Sequence, residues 1–200
     1  MLSRSDNPTL IDLLKHAAEK NPGGLCLSMD GVKCSFSDLY QGALKRAECF
    51  TNLGAQNGDK VGILLPNGIE YLEIFYGAML AGCIPVTINN RYKVAELKYV
   101  LSHGDVRFLF TSAAQETNFL NTLNEAFSDL DDTQNSQNLS DAPFLEKIYI
   151  VENSPSSNIS DASFLSNLNE GNFNPPPIKS DDVAFIMFTS GTTANPKACC

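Results

Sequence analysis

The chain has 200 residues, of which 43% are hydrophobic and 18% charged, a composition that supports a packed core and excludes a disordered tail. Its formal net charge is -9 with a pI near 4.6, and its 14 basic residues are scattered rather than clustered, which excludes nucleic acid as a partner. No apolar run is long enough to cross a membrane, and Met1 to Asn7 are too polar for the core of a secretory signal, so the chain reads as cytoplasmic without a transmembrane segment.

From the amino terminus, Thr9 and Asp12 form a capping-box pair. Leu10, Leu13, Leu14, Ala17 and Ala18 then recur at helical spacing until Asn21-Pro22-Gly23-Gly24. Leu25, Leu27 and Met29 alternate with polar or small neighbours, as do Val32, Cys34 and Phe36 beyond Asp30-Gly31, which predicts a hairpin. Ser37 is the expected cap of the next helix, whose face is Leu39, Ala43, Ala47 and Phe50 and whose end is Gly54.

After Asn57-Gly58-Asp59, the apolar run Val61 to Leu65 predicts a strand covered on both faces. A helix is expected from Ile69 to Gly82, a strand from Cys83 to Ile88, a helix from Val94 to His103 and a strand from Val106 to Phe110. Short connections between alternating strands and helices predict an α/β fold: a parallel sheet with helices on both faces. Residues 128–143 and 152–180 are rich in Ser and Asn and read as surface loops, with strand character at Leu145 to Val151, a short helix near Phe164 to Leu168, and Pro175-Pro176-Pro177. The last apolar run, Val183 to Phe188, is a strand that leads into Thr189-Ser190-Gly191-Thr192-Thr193-Ala194-Asn195-Pro196-Lys197.

Four other groups of residues carry less. Six cysteines, Cys26, Cys34, Cys49, Cys83, Cys199 and Cys200, contain no CxxC pair and read as buried or incidental thiols. Glu70 and Glu73, one helical turn apart, read as a solvated face. Asn89-Asn90-Arg91-Tyr92 reads mainly as the turn that opens the next helix. His16 and His103 stand far apart in helical stretches, where neither is a catalytic candidate.

The segment from Thr189 to Lys197 combines a buried strand, a turn of small residues and a lysine. Glycine and small hydroxyl residues let the backbone approach an anion, expose amide N–H groups to it and add hydroxyl donors, and Lys197 adds a mobile charge. Thr189, Ser190, Gly191, Thr192, Thr193, Ala194 and Lys197 are therefore the candidate ligands of nucleotide phosphates. A solvated Ser/Thr turn is the plainer alternative for these residues alone. The GxxxxGK[ST] phosphate loop is a poorer match, because Pro196 replaces its second glycine and Ala198 its magnesium-binding hydroxyl.

The run Phe188-Thr189-Ser190-Gly191-Thr192-Thr193 with Pro196-Lys197 resembles the phosphate-loop signature of the adenylate-forming enzymes: acyl-CoA synthetases, luciferase-like enzymes and peptide-synthetase adenylation domains. Gly58-Asp59-Lys60-Val61, Leu65-Pro66-Asn67, Ala81-Gly82, Pro85-Val86, Asn89-Asn90-Arg91-Tyr92 and Glu96-Leu97 fall in that family's order and spacing. The resemblance runs from about Thr9 to the last residue. It implies that residues 1–200 are an incomplete amino-terminal portion of an adenylation domain. The implied enzyme is a carboxylic acid–CoA ligase that uses ATP, Mg2+ and CoA, with a carboxylic acid as substrate. Groups for adenine, magnesium, the carboxylate and CoA are then expected beyond Cys200. Ala194 departs from a position where the family nearly always has glycine. If that position needs positive φ, alanine costs about 1 kcal/mol, so a catalytically incompetent remnant is one alternative expectation, and a peptide-synthetase-type domain is another. The sequence says nothing of the oligomeric state. A sheet that ends in an unpaired loop also predicts poor autonomous stability.

Overall fold

The computed structural model describes residues 7–112, 114, 117, 119–130, 139–151, 173–189 and 196–200. The chain divides into two compact units. The first takes Met1–Gly58, Asn67–Cys83 and Leu168–Ala184, and the second takes Asp59–Pro66, Ile84–Asn167 and Phe185–Cys200.

In the first unit, helix α1 (Leu10–Lys20) opens with the expected reciprocal box, in which Thr9 accepts from the Asp12 amide and Asp12 accepts from that of Thr9. Strands β1 (Leu25–Met29) and β2 (Val32–Ser35) form the antiparallel hairpin, with Asp30 at φ 52° and Gly31 at φ 81° in its turn. Helix α2 (Phe36–Asn52) is capped by Ser35, not by the expected Ser37. Only Ser35 has a carboxylate three residues on, and Asp38 returns the bond to the Ser35 amide at 3.1 Å. Gly54, at φ 80°, follows the helix end. Helix α3 (Ile69–Leu80) packs on α2, and Gly77 permits the approach, since a Cβ there would stand 2.5 Å from that of Arg46.

Glu73 is not on a solvated face. It accepts from both Nε and Nη2 of Arg46, at 3.1 and 2.9 Å, with both side chains largely buried. The helical period puts Glu73 on its face of α3, but the partner comes from α2, 27 residues away.

The second unit is built on a six-stranded sheet in the order β6-β5-β3-β4-β7-β8. Its strands are β3 (Lys60–Leu64), β4 (Ile84–Thr87), β5 (Val106–Thr111), β6 (Lys147–Ile150), β7 (Ile186–Thr189) and β8 (Lys197–Cys199). All pairs are parallel except β7 with β8. The fold is α/β, with a mostly parallel sheet flanked by helices.

Helix α4 (Val94–His103) and helix α5 (Phe119–Ala126) pack with one sheet face. Leu97, Val100 and Leu101 of α4 and Phe119 and Leu123 of α5 share a core with Val86, Leu109, Ile148 and Phe188. On the opposite face, register pairs Val61 with Phe108 and Ile63 with Phe110, and all four are buried. Burial on both faces explains why these strands are nearly continuous apolar runs.

Two elements escaped the sequence reading: α5, and the antiparallel strand β8. A further expectation needs amendment. Within the loop expected over 128–143, Leu139 and Ala142 are each 1% exposed and belong to the core. Two apolar residues among Ser and Asn give no periodic signal, so composition alone reads them as surface. The helix expected near Phe164 to Leu168 lies outside the described residues. The strand expected from Val183 is confined to Ile186–Thr189, and Val183 itself is exposed. Among the described residues, no helix is long and apolar enough to cross a membrane.

Candidate functional site

The segment singled out by sequence joins β7 to β8. Strand β7 pairs with β4 through Val86↔Ile186 and Thr87↔Met187, and with β8 through Met187↔Cys199, Phe188↔Ala198 and Thr189↔Lys197. Thr189 and Lys197 are therefore cross-strand partners at the base of a hairpin, and the Thr189 hydroxyl reaches the Lys197 carbonyl at 3.5 Å. This brings the first and last candidate ligands together. Ser190, Gly191, Thr192, Thr193 and Ala194 lie outside the described residues.

Lys197 is exposed and makes no ion pair among the described residues, whereas Pro196 beside it is buried. A buried proline fixes the backbone at the foot of the hairpin and leaves the lysine side chain in solvent. A solvated ammonium is a mobile point charge, suited to an anion that arrives from solution. The root of the hairpin is apolar: Phe188 is 6% exposed and packs in the core with Val100 and Val106.

Residues 89–93 stand against this root. The Asn89 side chain accepts from the Arg91 amide at 3.0 Å, and the Asn89 carbonyl accepts from the Tyr92 amide at 3.0 Å. The Lys93 amide donates to Glu96 at 2.7 Å, which closes the turn onto α4. From this turn the Tyr92 hydroxyl donates to the Phe188 carbonyl at 2.9 Å. The Thr87 hydroxyl donates to the Ile186 carbonyl at 3.4 Å. The sequence reading noticed Asn89-Asn90-Arg91-Tyr92 but not these contacts.

Two of the cavities among the described residues lie in different units. One of about 100 Å3 in the second unit is lined by Arg91, Tyr92, Lys93, Thr117 and Phe119. The other, about 200 Å3, lies in the first unit between the start of α1 and the segment from Ile178 to Ala184. Cys34, Cys49 and Cys83 are buried, and burial pushes the Cys49 thiol up to about 12, far from a reactive thiolate. Among the described residues, no group of three or more His, Cys, Asp or Glu could hold a metal ion.

Against known proteins, the family described as AMP-binding enzyme matches residues 14–200. The chain belongs to the AMP-binding enzyme family. Two relatives within it are an acyl-CoA ligase of Aspergillus fumigatus, 31% identical over 177 residues, and a 4-hydroxybenzoate–CoA/benzoate–CoA ligase of Rhodopseudomonas palustris, 25% identical over 193 residues. They cover 84% and 96% of this chain, but the chain spans only 28% and 33% of their own lengths. The crystal structure of an anthranilate CoA ligase in complex with anthranoyl-AMP superposes with a TM-score of 0.81 at 22% identity, over 98% of this chain and 36% of that one. Over that 36% of the ligase, this member of the AMP-binding enzyme family shares its fold.

Proposed function

We propose that the chain is the amino-terminal portion of a cytoplasmic, ATP-dependent carboxylic acid–CoA ligase, and that Thr189 to Lys197 hold the phosphates of ATP. The observation that carries this reading is the pairing of Thr189 with Lys197 around a Ser-Gly-Thr-Thr connection in a chain of the AMP-binding family. A carboxylate is a poor acyl donor because oxide would have to leave. In the proposed reaction a carboxylate oxygen attacks the α-phosphorus, the bond to the bridging oxygen of pyrophosphate breaks, and that oxygen keeps the electron pair. The CoA sulfur then attacks the acyl carbon, AMP leaves, and the thiol proton passes to solvent.

In this scheme the residues of the hairpin move no proton. The hydroxyls of Thr189, Ser190, Thr192 and Thr193, the backbone of Gly191 and Ala194 and the ammonium of Lys197 would meet the charge that grows on the departing pyrophosphate. Donors aimed in advance at developing charge cost no reorganisation in the transition state. No step here is assigned to Mg2+. The CoA-ligase relatives support an acyl-CoA product over a peptide-synthetase reaction.

The test is calorimetric titration, with ATP and with pyrophosphate, of the protein that carries these residues. Removal of one charged donor weakens binding by about tenfold or more, which is the expectation for Lys197→Ala. Unchanged affinity in that variant would sink the phosphate-loop reading. If no carboxylate from short, long-chain or aromatic panels supported exchange of labelled pyrophosphate into ATP, the ligase reading would fall. Ala194→Gly is expected to tighten nucleotide binding by up to about fivefold if residue 194 needs positive φ.

A further inference from the structure

We infer that Tyr92 is a positioning residue for the phosphate-binding hairpin, acting through its hydroxyl on the Phe188 carbonyl. The inference rests on the reading of Thr189 to Lys197 as a phosphate loop. Its own evidence is the way the root of that hairpin is held.

Strand β4 accompanies β7 only as far as Thr87↔Met187. Past that pair, Phe188 and Thr189 have, among the described residues, a strand on one side alone, and that strand is β8, whose three residues are all exposed. A two-stranded ribbon of this length is marginal without further support. Strand carbonyls two residues apart point the same way, so those of Ile186 and Phe188 face the β4 side together. Each accepts a side-chain hydroxyl from the β4 to α4 segment, Thr87 at 3.4 Å and Tyr92 at 2.9 Å. Tyr92 thus takes the place of the strand partner that β4 no longer supplies.

The bond lies one peptide from the loop. The Phe188 carbonyl and the Thr189 N–H belong to the same planar unit, so fixing one fixes the direction of the other. The tyrosine is itself held, with the turn at Asn89 behind it, Glu96 closing the turn onto α4, and its ring against the core around Leu97 and Phe188. Burial, with the Glu96 carboxylate nearby, pushes the phenol above its ordinary range. An anion site made of backbone amides depends on such prior orientation, since amides that reorient during the reaction give back part of the stabilisation.

The experiment compares wild type, Tyr92→Phe, Lys197→Ala and Tyr99→Phe in the protein that carries these residues. Tyr99 packs against the same core and stacks on His103, with ring centroids 4.1 Å apart, so its variant controls for loss of a phenol near α4. Loss of one oriented hydrogen bond predicts that Tyr92→Phe weakens MgATP and pyrophosphate binding by about threefold to tenfold. Hydrogen exchange at Thr189 and Lys197 should quicken, and the thermal midpoint should stay with that of Tyr99→Phe. If Tyr92→Phe binds like Tyr99→Phe while Lys197→Ala is weakened, the phosphate-loop reading stands and the role given to Tyr92 is overturned. Faster exchange with unchanged affinity overturns it as well, leaving a purely structural tie. If wild type binds neither ligand, or Lys197→Ala changes nothing, the phosphate-loop reading fails and the inference fails with it.

Discussion

The centre of the sheet and its β7–β8 edge are held by different means. Strands β3 and β5 pair over five positions, with Val61, Ile63, Leu109 and Phe110 fully buried between covered faces. Strand β7 meets β4 at two positions, Met187 is 44% exposed, and β8 is exposed throughout. On the proposed reading the β7–β8 connection receives a phosphate from solution and needs open space around it, so the segment that carries it cannot be fixed by burial on both faces. Here the substitute is a small number of directed bonds from Thr87 and Tyr92. The centre is therefore expected to govern stability, and the edge to govern binding.

The sharpest way to break this division is truncation in the centre. Leu109→Ala removes a side chain with no exposure and should cost about 2–5 kcal/mol, read as a lower denaturation midpoint at constant m-value. A loss below 1 kcal/mol would mean that the centre is not the stabilising region. Overfilling the same layer tests it from the other side. A Cβ added at Gly62 would stand 2.8 Å from Val106 Cγ1 and 3.0 Å from Leu109 Cδ1, so Gly62→Ala should cost about 1–3 kcal/mol.

Alkali offers a third test of the centre. Tyr149 stacks on Phe110 at 4.9 Å, and burial, assisted by Glu146, pushes its phenol up to about 12 from an ordinary 10.0. The folded chain holds this proton more tightly than the unfolded chain does. Its contribution to stability is therefore complete below pH 10 and is lost as the pH rises toward 12. The thermal midpoint of wild type should fall across that window more steeply than that of Tyr149→Phe. Parallel slopes would show that the phenol titrates alike in both states.

The smallest effects belong to the edge. Met187→Ala and Thr87→Val should each change stability by only about 0.5 kcal/mol, measured by the same denaturation. Thr87→Val should nonetheless quicken hydrogen exchange in β7. A loss from Met187→Ala as large as that from Leu109→Ala would erase the contrast between the two regions.

Much of the fold can be read locally. The reciprocal pair at Thr9 and Asp12, the turn at Asp30-Gly31 and the apolar period of Val94 to His103 each involve residues a few positions apart, and each element forms where those signals stand. The same locality misplaced the cap of α2, because Ser35 and Ser37 differ only in whether a carboxylate follows three residues later. Leu139 and Ala142 were hidden because two core residues in a polar stretch have no period to betray them.

The sequence by itself determined the α/β alternation, the family signature and the residue types of the candidate site, since these depend on short-range order and on which chemical groups are present. Tertiary structure alone decided that Lys197 returns beside Thr189 on an antiparallel strand, that Glu73 meets Arg46, and that Tyr92 reaches Phe188 across 96 positions of chain. The reason is geometric. A hydrogen bond or ion pair needs its atoms within a few ångströms, and for groups so far apart along the chain that distance exists only after the sheet and helices have packed.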